Sequence, residues 1–355
     1  MTRAAFVIPG DIDLPTGGYA YDRKVLARLS AFGVDAMHVA LPGSFPFPTT
    51  DDLAVTEKRI AEIPADAVLL IDGLAYGAMG FELIQRIKQP IVALCHHPLA
   101  LEAGLDEVKR AHFQMTEQNA LARARHVVVT SSVTARILTA DFGVAEHGIT
   151  VAEPGTDRAT RSKGTGQPSH LLAVGSIVPR KGYNVLVEAL AAVAAYPWTL
   201  TIVGAARDTT TLDALKAQID IANLSERIVL AGSKSDAELA LIYDTADIFV
   251  MPSLFEGYGM VIAEAMARGL PIVCTTGGAA AETAPDTAAI KVVPGDACAF
   301  GNALRRVLDD ANLRRGMAEA SWSAGLMLPT WDDTAKRIAA VLNTISRVHA
   351  GAKVA

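Results

Sequence analysis

Met251-Pro-Ser-Leu-Phe-Glu256-Gly257-Tyr258-Gly259-Met260-Val261-Ile-Ala-Glu264-Ala-Met-Ala-Arg-Gly269-Leu-Pro271-Ile-Val-Cys274-Thr-Thr-Gly277-Gly278 holds a strand end, a bare glycine loop, a short helix and a second strand. Asp247–Met251 is a β-rich apolar run that stops at Pro252, and Pro271–Thr275 is another, so the chain between them must cross over. The spacing predicts a helix from near Gly259 to Gly269, where glycine takes the left-handed C′ position without steric cost. Gly257 and Gly259 leave the backbone N–H groups at the helix start uncovered at the positive end of the helix dipole, a seat suited to a diphosphate.

Two carboxylates flank that seat. Glu256 lies in the loop and is free to lean over a group beyond the phosphates; Glu264, about a turn and a half into the helix, points elsewhere. An ionised carboxylate accepts two hydrogen bonds at once, which suits Glu264 to the vicinal hydroxyls of a ribose and Glu256 to a sugar hydroxyl. Taken singly, Glu264 reads equally as a helix-favouring residue and Glu256 as a solvated loop charge.

Glu256 and Glu264, ahead of Ala-Met-Ala-Arg-Gly-Leu-Pro-Ile-Val, resemble the E-x7-E signature of family 4 glycosyltransferases, and the likeness runs nearly end to end. The resemblance implies retaining enzymes of the GT-B fold, with two doubly wound Rossmann-like domains facing across a cleft and a last helix that crosses back to the first domain.

Composition agrees with two α/β halves. At 355 residues the chain exceeds what one core usually serves, and 51% apolar with 20% charged residues describes a well-cored chain. No run of eighteen apolar residues occurs, and the opening Met-Thr-Arg-Ala-Ala-Phe-Val-Ile-Pro reads as a first strand and not a signal peptide, so a cytoplasmic protein is expected. Cys95, Cys274 and Cys298 lack metal-ligand spacing and suit buried or inert thiols. The net charge of −6 arises wholly in residues 1–157, with 13 basic against 19 acidic residues, since 158–355 has 19 of each; no nucleic-acid partner is expected. Lys109, Arg110, Arg123 and Arg125 read as a solvated helix face, which leaves peripheral membrane contact at most.

Apolar runs recur at Ala4–Ile8, Ala36–Ala40, Ala67–Ile71, Ile91–Cys95 and His126–Thr130, with helical patterns at Tyr19–Phe32, Phe81–Lys88 and Leu105–Ala124. The polar stretch Asp157–Ser169 is expected to be a linker. Strands restart at His170–Val174, Thr199–Val203, Ile228–Leu230, Ile248–Met251, Ile272–Cys274 and Ala289–Val292, with helices at Val185–Ala195 and Thr211–Asn223. The expected domains are 1–157 for the acceptor and 170–330 for the nucleotide-sugar donor, with the substrate in the cleft between them. Trp331–Val348, apolar at helical spacing, is either the helix of about 331–355 that packs back on the first domain or a plain terminal cap helix.

Other motifs follow strands. Gly175-Ser176-Ile-Val-Pro179-Arg180-Lys181-Gly182 resembles the family's Gly-Arg-x-x-x-Pro-x-Lys-Gly phosphate motif, with Ser176 in place of the first Arg, so neutralisation rests on Arg180 and Lys181. Gly17-Gly18 resembles the glycine pair that faces the donor phosphates, and Gly204 the glycine beside them. Asp11-Ile-Asp13 is literally D-x-D, but its place at a turn beside the glycine pair argues for turn chemistry and no metal. His96 and His97 end a strand; in the family a His here lies beside the transferred sugar, and His97-Pro98-Leu99 fits that phrase, with His96 as the alternative. Neither is a general base, because in a retaining enzyme of this kind the leaving oxygen can take the proton. Thr130-Ser131-Ser132 resembles the family's Val-x-Ser step or is a helix cap. Leu41–Pro48 either shapes an acceptor site or is an ordinary rigid loop.

The resemblance therefore implies a metal-independent transferase without a cofactor, moving a sugar from a nucleoside diphosphate sugar to a sugar, glycan or glycolipid acceptor. Glu256, His97, Arg180 and Lys181 carry the chemistry; Gly17, Gly18, His96, Gly175, Gly204, Gly257, Tyr258, Gly259, Met260, Val261 and Glu264 hold the donor. The alternatives are a GT-B sugar-nucleotide epimerase or phosphorylase, or a non-catalytic nucleotide-sugar binding subunit.

Overall fold

The computed structural model describes residues 1–352. It forms two compact units, one of residues 1–155 with the chain from Pro329 onward, the other Thr156–Leu328.

In the first unit six strands lie parallel in the order β2-β1-β3-β4-β5-β6: β1 (Thr2–Pro9), β2 (Val34–Leu41), β3 (Val68–Asp72), β4 (Ile91–Cys95), β5 (His126–Val129) and β6 (Ile149–Val151). Every residue of β3 and β4 is buried, as expected of a sheet covered by helices on both faces, and their apolar runs are continuous, not alternating. The predicted helix over Tyr19–Phe32 is split: an α-helix Gly17–Leu26, then a 3-10 turn Leu29–Phe32 closed by the left-handed Gly33. The last helix, Trp331–Ala352, packs on this unit through Trp331, Ala335, Ile338, Ala339 and Leu342. Its first turn is tied down by Thr334, whose hydroxyl donates to the Glu153 carbonyl at 2.7 Å, and by an Arg28–Asp332 ion pair at 3.2 Å.

The second unit repeats the plan in the order β12-β11-β10-β7-β8-β9, again all parallel: β7 (Ser169–Val174), β8 (Trp198–Val203), β9 (Ile228–Gly232), β10 (Ile248–Met251), β11 (Ile272–Thr275) and β12 (Ala289–Val292). Strand order reverses beside β7, which pairs with both β8 and β10. In an open parallel sheet such a reversal opens a crevice at the carboxyl ends of the strands, here between the loops after β7 and β10.

The stretch 157–168 does not behave as a free linker. Asp247 accepts hydrogen bonds from the amides of Gly166 and His170 at 3.0 and 2.8 Å and from the Thr165 hydroxyl at 2.9 Å. Ser162 donates to the Ala246 carbonyl at 2.7 Å. Polar composition signalled a linker, but the polar groups are spent on the second unit. Asp247→Ala is expected to cost about 2–3 kcal/mol in urea unfolding and to open 157–168 to limited proteolysis; unchanged stability and cleavage would show that the clamp is idle.

Candidate functional site

The loop after β10 and the loop after β7 are bolted together at the switch point of the second sheet. Pro179–Lys181 forms a 3-10 turn, and Leu254 N–H donates to the Arg180 carbonyl at 2.8 Å while Arg180 Nη1 donates to the Phe255 carbonyl at 2.7 Å. Glu256 is held from the other side by Gly277 and Ala279: its amide donates to the Gly277 carbonyl at 3.1 Å and its carbonyl accepts from the Ala279 amide at 2.8 Å. Its side chain then meets Lys181 Nζ at 2.6 Å and Arg180 Nη1 at 3.5 Å.

Only 7% of Glu256 is exposed. Burial alone would push its carboxyl up, yet the charges of Lys181 and then Arg180 outweigh that and hold it down at about 2. As a loop residue Glu256 is expected to be free to lean, but both of its carboxylate oxygens are engaged by Lys181 and Arg180. Two cations against one carboxylate leave the cluster with a net positive charge, which suits it to an anion.

The glycines make room. A Cβ at Gly204 would overlap the Gly175 carbonyl, so the ends of β7 and β8 approach as only glycine allows, and one at Gly175 would stand 3.0 Å from Lys181 Cε. Gly257, Tyr258 and Gly259 continue the loop beyond Glu256, with Gly259 at φ 90° before the helix Met260–Met266. As first-turn residues, Met260 and Val261 have no intrahelical acceptor for their amides. Glu264 is anchored apart from this cluster: it accepts from the Tyr243 hydroxyl at 3.0 Å, and burial, only partly offset by Tyr243 and Arg268, pushes its carboxyl up.

The first unit gathers a cluster that sequence spacing did not reveal. Asp22 from the helix Gly17–Leu26, Asp72 from the end of β3 and His96 after β4 converge, with His96 Nε2 at 3.2 Å from Asp22 Oδ1 and 3.4 Å from Asp72 Oδ2. Among the described residues these three form the one His/Cys/Asp/Glu group compact enough to hold a metal ion. Burial works against charge on the His96 ring, but the Coulomb pull and hydrogen bonds of Asp22 and Asp72 exceed it and push the imidazole up to about 10. Burial also raises the Asp22 carboxyl, against the pull of His96. Gly18 lies against this ring, with room for a Cβ at 3.7 Å from His96 Cδ2, and Gly17 opens the helix after the Thr16 cap. His97 turns to Glu102, Nε2 to Oε2 at 2.9 Å.

Asp11 accepts from the Asp13 amide at 2.9 Å, the turn expected of the D-x-D string. Ser131 accepts from the Thr134 amide and caps the helix Ser132–Phe142, one of the two readings of that motif. Cys95 and Cys274 are buried and Cys298 is exposed. Among the described residues no helix is long and apolar enough to cross a membrane.

Comparison with known proteins places this architecture. Residues 157–322 match the family of group 1 glycosyl transferases and residues 51–160 match Glycosyltransferase Family 4. The chain is 27% identical to an MMP alpha-(1->4)-mannosyltransferase of Mycolicibacterium hassiacum over 86% of its own length and 77% of that protein. Its fold is similar to sucrose-phosphate synthase of Thermosynechococcus elongatus, with TM-score 0.82 at 19% identity, covering 98% of this chain and 100% of the other. Anabaena HepE in complex with UDP-glucose is similar as well, with TM-score 0.78 at 17% identity over 96% and 99% of the two chains. The two units are those of a GT-B glycosyltransferase. The chain belongs to glycosyltransferase family 4, and its activity is sugar transfer.

The Glu256 cluster yields a stability prediction. A folded value of about 2 against an ordinary 4.5 corresponds to roughly 3 kcal/mol. Because the folded value is depressed, that contribution is present above the ordinary value and lost as pH falls through about 2. Glu256→Gln should therefore unfold in urea with about 3 kcal/mol less stability than the parent near neutral pH, and the gap should narrow below about pH 4.5. A gap independent of pH would mean that the ionised carboxylate is not what the substitution removes.

Proposed function

We propose that the second unit holds a nucleoside diphosphate sugar and that the sugar passes, with retention and without a metal ion, to a hydroxyl of a sugar, glycan or glycolipid held by the first unit. The observation that carries this reading is the Lys181–Glu256–Arg180 cluster at the switch point of the second sheet, beside the glycine ends of β7 and β8. Similarity to a mannosyltransferase and to a fold seen with UDP-glucose supports a nucleotide-sugar donor.

Charge bookkeeping gives the division of labour. When a diphosphate enters, Lys181 and Arg180 have an anion of higher charge to pair with than Glu256, and the carboxylate is released toward sugar hydroxyls. Through the transfer the bond from the anomeric carbon to the diphosphate oxygen breaks, negative charge grows on the departing oxygen, and two fixed cations oppose it. The uncovered amides of Met260 and Val261 add donors on the same side, and Glu264 binds the ribose. His96 and His97, after β4, are the first unit's candidates for binding sugar hydroxyls. The free thiols of Cys95 and Cys274 fit a cytoplasmic setting, and any contact with a membrane would be peripheral.

Glu256→Ala should abolish transfer while nucleoside diphosphate binding persists, whereas the double substitution Arg180→Ala with Lys181→Ala should weaken nucleotide binding itself by tenfold or more, on the order of 1.4 kcal/mol. Release of nucleoside diphosphate from UDP-glucose or GDP-mannose, with an acceptor panel, and calorimetry with UDP and GDP read the two effects. Unchanged turnover in both variants would remove the site from consideration. Chelator treatment should leave turnover intact; loss restored by a divalent ion would contradict the metal-free mechanism.

A further inference from the structure

We propose that the cavity at the amino-terminal ends of β4 and β5 is a binding site for a phosphate group, held by Lys88, Arg123 and Arg125 and closed by His349 of the last helix. The site lies within the first unit and uses no residue of the donor site proposed above, so its test is independent of that reading.

Charge comes first. The cavity has a volume of about 230 Å³; Lys88, Arg123, Arg125 and His349 line it, and no acidic residue does. The surrounding chain has the opposite balance, with 13 basic against 19 acidic residues in 1–157. Other cations of this unit are paired, Arg3 with Asp66 and Arg86 with Glu57 at 2.9 Å each and Lys109 with Asp106 at 3.3 Å. Among the described residues Lys88, Arg123 and Arg125 have no ion pair. Three like charges gathered without a counter-charge repel one another, and a phosphate carrying about −1.5 to −2 near neutral pH relieves that repulsion.

The backbone fixes where these cations stand. Lys109, Arg110, Arg123 and Arg125 were expected to share a solvated helix face, but the helix Glu107–Leu121 ends before Arg123 and Arg125. Its end does not need them as caps: the Ala120 carbonyl accepts from the Tyr76 hydroxyl at 2.7 Å and the Arg123 amide at 3.0 Å, and the Leu121 carbonyl accepts from the Ala124 amide at 3.1 Å. The Arg125 amide donates to the Ile91 carbonyl at 2.8 Å, which pins that segment to the start of β4. On the other side of the gap the Pro90 carbonyl accepts from the Leu69 amide at 2.9 Å, and Gln89 Nε2 donates to the Ile63 carbonyl at 2.9 Å, so the segment bearing Lys88 is held as well. Two guanidinium forks and one ammonium suit the several oxygens of a phosphate.

His349 supplies a second, independent observation. It lines this cavity, and its Nε2 is buried without a hydrogen-bond partner among the described residues. A buried polar atom left unpaired costs free energy, and a phosphate oxygen can accept from a ring N–H. The volume is below the roughly 300–1,000 Å³ of sites that enclose a drug-sized ligand, so the cavity takes a phosphoryl group and leaves the rest of a larger molecule outside. A bound phosphate would tie the far part of the last helix to the strand starts. The length of β4, on the order of 15 Å, separates this site from His96 at the strand's other end.

Inorganic phosphate is the probe, and NMR of histidine-labelled protein is the readout. The His349 ring, assigned through His349→Gln, reports on this cavity, so phosphate taken up at the donor site does not enter the reading. Phosphate should shift the ring resonances with a Kd of about 1 mM or tighter, and sodium chloride at matched ionic strength should not. Arg123→Ala with Arg125→Ala should weaken that Kd by about tenfold or more. Both side chains are exposed, so the fold should survive, and Tm without phosphate checks this. Should the pair lower Tm, Lys88→Gln repeats the test with one substitution. Lys109→Ala with Arg110→Ala removes equal charge outside the cavity and should leave the Kd within about twofold.

Two further arms identify the source of the phosphate. A His349 shift with glucose 6-phosphate points to a soluble phosphomonoester, and pelleting with phosphatidic acid vesicles that the Arg123/Arg125 pair abolishes points to a lipid headgroup; either supports the site. No His349 shift up to about 10 mM phosphate, an equal shift with sodium chloride, an unchanged Kd without Arg123 and Arg125, or an equal loss without Lys109 and Arg110 would each overturn the proposal.

Discussion

The ion cluster of Lys181, Arg180 and Glu256 is the constraint around which the second unit is arranged. Removing three charges from water is costly, and a buried pair often stabilises a fold no better than well-packed apolar groups would. Its contribution is placement. The turn Pro179–Lys181 and the loop 253–256 come from different strands, and backbone bonds between Leu254 and Arg180 join what the ion pairs then fix in register. Gly175 and Gly204 are required by the same constraint, because any side chain at Gly204 would enter the backbone that carries the cations. The switch in strand order supplies the crevice, and the cluster supplies its charge.

The first unit uses the same architecture with the opposite electrostatic sign. There the loop after β1 leads to Gly17 and Gly18, β3 ends in Asp72, and His96 follows β4. Two buried acids against one imidazole weight this cluster toward acid beneath a partly exposed ring, whereas in the second unit two cations face one carboxylate beside glycine backbone. One pattern suits hydroxyl-bearing ligands and the other suits phosphate. The common element is the open end of a parallel sheet, where strand termini deliver side chains that their loops then lock.

The fully buried strands were legible in sequence because parallel strands covered on both sides are continuous apolar runs, as Ile91–Cys95 and Ile248–Met251 show. The helix Asp236–Thr245 is faint in sequence, since it buries only Tyr243 and has little apolar period. Its signal was the capping box of Ser235 and Glu238, and the helix Thr50–Ala61 carries a similar one in Thr49 and Asp52. Glu256, Arg180 and Lys181 were readable as a site because each belongs to a local motif, yet their mutual engagement was not, since it joins loops far apart in the chain. Asp22 and Asp72 had no local motif at all; only the pairing of β3 with β4 and the docking of the first helix bring them to His96.

The ionisation of the two clusters also bears on where the acceptor's proton goes. A carboxyl held at about 2 is a weak base near neutral pH, which suits Glu256 to accepting hydrogen bonds and not to taking a proton in the proposed transfer. An imidazole pushed up to about 10 already carries its proton, so His96 is equally unsuited to remove one. Glu264, raised by burial, is bound to Tyr243 and anchored apart from the cluster. In the transfer proposed above, these surroundings leave the oxygen of the departing diphosphate as the base whose strength grows as the bond breaks. A hydroxyl that gives its proton to that oxygen approaches from the side on which the oxygen departs, which is the geometry of the retaining transfer proposed.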